Sequence, residues 1–254
     1  MRCAKYNFPV AGTNDAGYLA GASAVVLGGT GGLGAVCTRH MLQHGATVLA
    51  TGRSERPELA SQLGGQHSDR LRTARFDYPS DNLSDVAPLA REHLGDPLDI
   101  LIHCIGPALA KAIDDTDAEE LANLLQANVT SFHDAMLTFA PALRDSRGRV
   151  VAFTVAGADA LVSRSMLPAY FVAKSALLSL TKSWAKRLAP RGVTVNAIAP
   201  GIFPGEMELD VESRVPAGRP GEAEDIEQAL KLLLAPESGY ITGNNILVSG
   251  GYAL

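Results

Sequence analysis

The stretch VLGGTGGLG, residues 26–34, places five glycines within seven consecutive positions. Glycine loses more conformational freedom on folding than any other residue, so such a cluster needs a physical reason. The apolar residues before it predict a buried strand, and Leu33, Val36 and Met41 follow it at helical spacing. A turn between a strand and a helix presents unpaired backbone amides and the positive end of the helix dipole. The stretch therefore predicts a turn that binds a phosphate group.

Three of the glycines have separate tasks in such a turn. Gly28 permits the tight turn, Gly32 lets a pyrophosphate approach the backbone, and Gly34 lets the helix lie close to the strand. The spacing is G-x-x-x-G-x-G, and Gly29, Gly31 and Gly34 also fit the commoner G-x-G-x-x-G. A dinucleotide site is the prediction, and an ordinary glycine-rich turn is the alternative.

The residue that follows the second predicted strand indicates which dinucleotide binds. An acidic residue at this point would accept hydrogen bonds from the adenosine ribose of NADH. The chain instead has Gly52 and then Arg53, whose guanidinium suits a ribose 2′-phosphate. NADPH rather than NADH is therefore the predicted cofactor, and a solvated surface arginine is the alternative.

Apolar runs alternate with helical stretches from residue 23 to the end of the 254-residue chain. Continuous apolar strands of this kind imply a parallel sheet that helices cover on both faces. The predicted fold class is α/β, a single Rossmann-fold domain with a doubly wound, seven-stranded parallel sheet. We assign residues 23–254 to this domain and residues 1–22 to an N-terminal extension.

Proline and glycine set the expected bounds of several helices. Glu58–Leu63 predicts a short helix that ends at two glycines. Asp117–Leu143 predicts a long helix in which Pro141 is expected to introduce a bend. Leu167–Ala189 predicts a further helix, which Pro190 closes.

Composition excludes several classes of function. The net charge of −5 argues against a nucleic-acid surface, and no apolar run is long enough to predict a membrane span. Three widely spaced cysteines do not suggest a disulfide framework, so a cytoplasmic location is expected. His40 and His44 lie four apart, a spacing that can bind a metal, but no third ligand is evident and we expect no metal site.

Tyr170 and Lys174 form the candidate catalytic pair, in the sequence YFVAK. Their i, i+4 spacing on the predicted helix places both side chains on one face. A cation beside a phenol favours the phenolate and lowers its pKa. A tyrosine tuned in this way can give a proton to a ketone oxygen or take one from an alcohol.

At this point the sequence resembles the short-chain dehydrogenase/reductase family, from about residue 23 to residue 252, in its compact branch, which includes 3-oxoacyl-ACP reductases and carbonyl reductases. The resemblance rests on the glycine turn, on Asp77 after the third strand and on Asn128 in LLQANVTS. It also rests on YFVAK, VNAIAPG, GRPGEAEDI and ITGNNILVSGG.

The resemblance implies a set of site residues. Tyr170 handles the proton, Lys174 holds the nicotinamide ribose and tunes Tyr170, and Asn128 supports a water-linked proton relay. The implied cofactor contacts are Gly28, Thr30, Gly31, Gly32, Leu33, Gly34, Arg53, Asp77, Tyr78, Cys104, Gly106, Tyr170, Lys174 and Ile202. The family also pairs its long helices between subunits, which implies a homodimer or homotetramer.

The chain departs from the family pattern near the catalytic centre. The nearest match to the substrate-orienting serine is Thr154, and a longer loop follows it, so Ser163 or Ser165 is an alternative source of the hydroxyl. Leu27 stands where a threonine is usual, and His103-Cys104 where two asparagines are usual. We expect that Leu27 and Cys104 jointly replace a polar brace by apolar packing.

The sequence thus predicts an NADPH-dependent ketone reductase, acting on a β-ketoacyl thioester or a small apolar ketone. The alternative from another class is a non-catalytic NADP-binding module that senses redox state; a dehydratase or epimerase is a rival within enzymes. Apolar residues near the active site indicate an apolar substrate body next to the carbonyl: Met166, Leu167, Ile202, Phe203 and Met207.

Overall fold

The computed structural model describes residues 17–54, 65–165, 167–204 and 211–253. Several predictions fall outside these ranges: most of the N-terminal extension, the short helix Glu58–Leu63, and the apolar residues Met166 and Met207. The boundary between the extension and the domain stays a prediction.

The described residues form one parallel sheet with helices on both faces, which confirms the predicted fold class. The strands are β1 (Ser23–Leu27), β2 (Thr47–Gly52), β3 (Leu71–Arg75), β4 (Ile100–His103), β5 (Arg149–Phe153), β6 (Thr194–Pro200) and β7 (Asn245–Val248). The helices are α1 (Gly32–Gln43), α2 (Leu83–Leu94), α3 (Ala118–Leu125), α4 (Ser131–Ser146), α5 (Pro168–Leu188), α6 (Val211–Arg214) and α7 (Ala223–Leu234).

The strand order is β3-β2-β1-β4-β5-β6-β7, and every neighbouring pair is parallel. The order reverses between β1 and β4, where the chain leaves β1 for one side of the sheet and later enters the other. In an open parallel sheet, ligands bind beyond the carboxyl ends of the strands at such a switch point. The glycine stretch follows β1 directly and therefore lies at this edge.

Two hydrophobic cores lie on opposite faces of the sheet. Val25 and Leu27 of β1 belong to the core that contains Phe132 of α4, whereas Val26 belongs to the core that contains Met41 of α1. Successive strand residues point to opposite faces, so a strand buried on both sides is apolar at most of its positions. This requirement explains why the strands appear in the sequence as continuous apolar runs.

The long helix predicted from Asp117 to Leu143 is interrupted near its middle. α3 begins with a capping box between Asp117 and Glu120, and a wide turn of π type follows over Gln126–Thr130. Pro141 lies inside α4 without ending it. Regular helix geometry therefore breaks at the turn that carries Asn128, ahead of Pro141.

The described end of the N-terminal extension packs against the domain. Leu19 is buried, and the Tyr18 hydroxyl lies 2.6 Å from Nε2 of His40. The Tyr18 ring also contacts His44, four residues further along the chain than His40. The two histidines thus belong to an aromatic cluster, and among the described residues no group of three potential metal ligands occurs.

Burial makes the free energy of unfolding depend on the ionisation of His40. Desolvation, aided by the positive charges of His44, Lys231 and Arg39, lowers the pKa of His40 to about 4. A histidine whose folded-state pKa is below its unfolded-state value near 6.5 contributes stability that is complete above pH 6.5 and is lost as the pH falls towards 4.

The His40→Gln variant tests this dependence. We expect the wild-type free energy of unfolding to fall between pH 6.5 and pH 4, with His40 contributing up to about 1.4 kcal/mol per pH unit. The variant should show a shallower fall over the same window, measured by urea unfolding at a series of pH values. Identical slopes for the two proteins would contradict the assignment.

Within the described ranges, no helix combines the length and the apolar character needed to cross a membrane.

Candidate active site

The glycine turn leaves open space where a phosphate would lie. A Cβ atom at Gly31 or Gly32 would meet no atom of the described residues within 4 Å beyond its own chain neighbours, and Gly32 has a φ of +50°. A Cβ atom at Gly34 would lie 2.0 Å from the carbonyl oxygen of Gly28, so only glycine lets α1 approach the turn this closely. Open space at Gly32 and a close approach at Gly34 are the geometries that their predicted tasks require.

A cleft of about 470 Å³ extends from this turn towards the end of β2. Arg53 is exposed on its wall, next to Ser54 and across from Asp77. A Cβ atom at Gly52 would overlap the Thr30 hydroxyl, so Gly52 allows β2 to end against the turn.

The Tyr78 hydroxyl donates to Asp134 at 2.8 Å and leaves the ring on the cleft wall. Burial, reinforced by this bond, raises the pKa of Tyr78.

A second cavity, of about 210 Å³, joins the glycine turn to the predicted catalytic pair. It is lined by Tyr170 and Lys174 of α5 and shares Cys104 and Gly106 with the first cleft. Pro168 at the first position of α5 fixes the start of the helix that carries both candidate catalytic side chains.

Lys174 is almost completely buried, and its surroundings fix the position of its ammonium group. The Nζ atom donates to the carbonyl oxygen of Phe153 at 2.8 Å, at the end of β5. It lies 5.5 Å from the centre of the Tyr170 ring. The ammonium group therefore sits beside the phenol, as the spacing on the helix predicts.

Asn128 lies behind this pair, in the wide turn between α3 and α4. Its side chain is fully buried, and Nδ2 donates to the carbonyl oxygen of Leu124 at 3.0 Å. Its Oδ1 atom has no hydrogen-bond partner within the described part of the chain. A Cβ atom at Gly106 would lie 2.1 Å from this oxygen and 3.0 Å from Nζ of Lys174, so the glycine keeps this space open between the two groups.

Thr154 lines the same cavity, whereas the alternative hydroxyls of Ser163 and Ser165 are exposed on the loop that follows. The Thr154 hydroxyl lies 2.7 Å from Oδ1 of Asn245 on β7. In that orientation the buried Nδ2 of Asn245 has no partner. Rotating the amide by half a turn lets Nδ2 donate to Thr154, whose own hydrogen can then be donated either to the carbonyl oxygen of Ile198, at 3.3 Å, or to a substrate oxygen.

A third cavity, of about 370 Å³, opens from Tyr170 away from the glycine turn. Its walls are predominantly apolar, and the predicted residues Leu167, Ile202 and Phe203 contribute to them. Phe171 and Tyr252 also line this cavity, and the sequence analysis did not predict either of them. Tyr252 lies just beyond the C-terminal motif, and nothing in its local sequence places it at this site.

The expected partnership between Leu27 and Cys104 is wrong. The register of β1 and β4 places Leu27 beside His103, and both face α4. Cys104 packs instead with Cys37 of α1 in the opposite core. Residues that are consecutive in a strand point to opposite faces, so His103 and Cys104 cannot share one partner.

Comparisons of the sequence with known proteins agree with this architecture. Residues 28–253 match the family described as enoyl-(acyl carrier protein) reductase. The 3-oxoacyl-[acyl-carrier-protein] reductase of Haemophilus influenzae is 31% identical over 245 residues, which cover 92% of this chain and 99% of the relative. Gluconate 5-dehydrogenase of Gluconobacter oxydans is 28% identical over 248 residues, covering 92% of this chain and 95% of the relative.

Two solved structures share the fold over nearly their whole length. A short-chain dehydrogenase/reductase from Serratia marcescens superposes with a TM-score of 0.84 at 27% identity and covers 93% of this chain and 99% of its own. The blue fluorescent protein from a metagenomic library, in complex with NADPH, gives a TM-score of 0.83 at 26% identity and covers 93% and 100%. This chain belongs to the short-chain dehydrogenase/reductase family of oxidoreductases.

Proposed function

We propose that this enzyme reduces a ketone to a secondary alcohol with NADPH, and that Tyr170 donates the proton. The observation that carries the proposal is the continuity of the three cavities. The cleft that contains Arg53 shares lining residues, including part of the glycine turn, with the cavity that contains Tyr170 and Lys174. The apolar cavity begins at Tyr170. A long, polar cofactor and an apolar ketone can therefore meet at one phenol.

NADPH is the cofactor. The space above Gly31 and Gly32 suits the pyrophosphate, and the exposed guanidinium of Arg53 suits a 2′-phosphate through paired, charge-assisted hydrogen bonds. Gly52 and Arg53 stand at the end of β2, where a carboxylate would favour NADH. When bound, NADPH supplies the hydride that the substrate carbon receives. Relatives with this fold include a protein solved in complex with NADPH, which supports the assignment.

Tyr170 holds the proton that the carbonyl oxygen needs as it gains negative charge. The neighbouring ammonium group of Lys174 favours the phenolate that remains after transfer, which lowers the energetic cost of giving the proton up. Because Lys174 is buried and anchored to the carbonyl of Phe153, its charge stays close to the phenol. Asn128, with an unpaired carbonyl oxygen beside Gly106, can hold a water molecule that returns a proton to this pair.

Thr154 orients the ketone in this proposal, and a set of single variants tests it. Thr154→Val should lower kcat by about 10²- to 10³-fold, because it removes one hydrogen bond to the developing oxyanion. Thr154→Ser should retain most of the activity, and Ser163→Ala and Ser165→Ala should remain close to wild type in steady-state assays. A larger loss in either serine variant than in Thr154→Val would transfer the role to that serine.

We further propose that the enzyme works as a homodimer or homotetramer in the cytoplasm. Leu137 of α4 and Val172 of α5 are more than half exposed, as is expected of helices that pair between subunits. Cys37 and Cys104 are both free thiols, which suits a reducing compartment.

A substrate panel tests the proposed reaction. The full chain is mixed with NADPH and, separately, with a 3-oxoacyl thioester, a small apolar ketone, an α,β-unsaturated thioester and a 5-keto sugar acid, and loss of NADPH absorbance is followed. The proposal predicts turnover of one of the first two compounds. Reduction confined to the unsaturated thioester or the sugar acid would overturn the substrate class. Tight NADPH binding without any turnover would support the alternative of a non-catalytic redox sensor.

A further inference from the structure

The wide turn that carries Asn128 lacks one bond of a regular helix. In an α-helix, the amide of Ser131 would donate to the carbonyl of Ala127, four residues earlier. Here it donates to the carbonyl of Gln126, five residues earlier. The Ser131 hydroxyl takes over the bond to the carbonyl oxygen of Ala127, at 2.5 Å. A side chain therefore supports the backbone on the N-terminal side of Asn128.

His103 fixes the direction of that hydroxyl. Its Nε2 atom lies 2.8 Å from Oγ of Ser131, and both side chains are fully buried. Because the only hydrogen of the Ser131 hydroxyl points to Ala127, the imidazole must donate, which places the ring proton on Nε2. Two hydrogen bonds in series, from His103 to Ser131 and from Ser131 to Ala127, thus connect the end of β4 with the wide turn.

The surroundings of His103 keep it in this state. Burial, aided by the positive charge of Lys174, lowers its pKa to about 3. The edge of the Phe132 ring packs against the imidazole, with ring centres 5.4 Å apart. A neutral, fully packed imidazole therefore presents the same Nε2 donor to Ser131 at neutral pH.

Small shifts of this turn act directly on the catalytic centre. Asn128 follows Ala127 in the chain, and its Oδ1 atom borders the same small space beside Gly106 as Nζ of Lys174. An added methyl group at Gly106 would overlap Oδ1, so this amide oxygen lies close against the backbone of Gly106. A displacement of the Ala127 carbonyl, in the residue before Asn128, would therefore move Oδ1 relative to Gly106 and Lys174.

We propose that His103 is a positioning residue that acts through Ser131 to hold Asn128 in place for proton transfer. The inference rests on the proposed reaction, in which Asn128 supports the relay. It assigns a task to a buried histidine at a position where the family usually has asparagine. The contact between His103 and Ser131 joins β4 to α4. It forms a polar brace on the face of the sheet to which Leu27 also points.

A kinetic double-mutant cycle tests whether His103 acts through Asn128. His103→Leu should lower kcat about 10-fold, since misplacement by a fraction of an ångström weakens transfer, while the KM for NADPH stays within about twofold. In the Asn128→Ala background the same substitution should have no further effect on kcat. His103→Gln, whose amide nitrogen reaches the position of Nε2, should restore most of the activity. Equal losses in both backgrounds, or no loss in His103→Leu, would overturn the proposal.

Amide hydrogen exchange provides a readout that needs no substrate. In the full chain, with and without NADPH, we expect peptides that cover residues 126–132 to exchange about 5- to 10-fold faster in His103→Leu, and at the wild-type rate in His103→Gln. Met136→Ala, which opens a cavity in the same core one turn further along α4, is the matched control and should leave this segment unchanged. Unchanged exchange in His103→Leu, or equal acceleration in Met136→Ala, would overturn the positioning role.

The two measurements separate the failure of this proposal from the failure of the proposed function. If the wild type reduces no ketone, the proposed reaction falls, while hydrogen exchange still decides whether His103 holds the turn. If ketone reduction is rapid and His103→Leu matches the wild type in both measurements, the reaction stands and the positioning role falls.

Discussion

Replacing Tyr170 by phenylalanine is expected to lower kcat for ketone reduction by about 10²- to 10⁴-fold, the range typical of a lost general acid. The variant keeps the ring and loses only the hydroxyl, so the walls of the adjoining cavities stay in place. The Kd for NADPH should therefore stay within about twofold of wild type. Such a separation assigns the loss to proton transfer rather than to binding.

Steady-state kinetics at saturating NADPH, together with cofactor titration by fluorescence, measure the two quantities. Tyr240→Phe is the matched control, because Tyr240 is fully exposed and remote from the three cavities. It should leave kcat unchanged. Full activity in Tyr170→Phe would remove the phenol from the mechanism and with it the reaction proposed for this site.

Arg53→Gln is expected to produce the second large effect, on the choice of cofactor. Removing one charged partner of a hydrogen-bonded pair costs about 1.5–3 kcal/mol, which corresponds to a rise in the Kd for NADPH of about 10- to 150-fold. The Kd for NADH should change by less than about twofold, because NADH has no phosphate for the guanidinium to contact.

Titration of each variant with both cofactors measures this difference. Arg72→Gln is the matched control, since Arg72 of β3 forms its ion pair with Glu92 at 2.9 Å and does not line the cofactor cleft. It should leave both affinities unchanged. An equal loss of affinity for NADH and NADPH in Arg53→Gln would show that the arginine supports the structure of the cleft and does not contact the 2′-phosphate.

Much of the fold follows from the sequence because the physical causes are local. A strand buried on both faces is apolar at most of its positions, so β1 and β4 stand out as nearly continuous apolar runs. The sheet has the seven parallel strands that the alternation of apolar and helical stretches predicts. Helix ends follow glycine and proline, and α5 begins and ends within one residue of its predicted bounds.

The wide turn at Gln126–Thr130 could not be predicted in this way. Pro141 offered the visible local cause for a bend, yet helix geometry breaks at a segment without proline or glycine. In the structure this segment is supported by a contact between His103 and Ser131, which are far apart in the chain. The spacing of apolar residues along the sequence does not indicate such a bond.

The sequence by itself determined the parallel sheet, the glycine turn at its switch point, and the pairing of Tyr170 with Lys174 on one helix face. Each of these depends on residues within a few positions of one another. Only the tertiary structure decided which groups face each other across elements, such as Asn245 beside Thr154 and His103 on the face opposite Cys104. Those outcomes depend on strand register and on which face each side chain occupies, and both are set when distant segments pack.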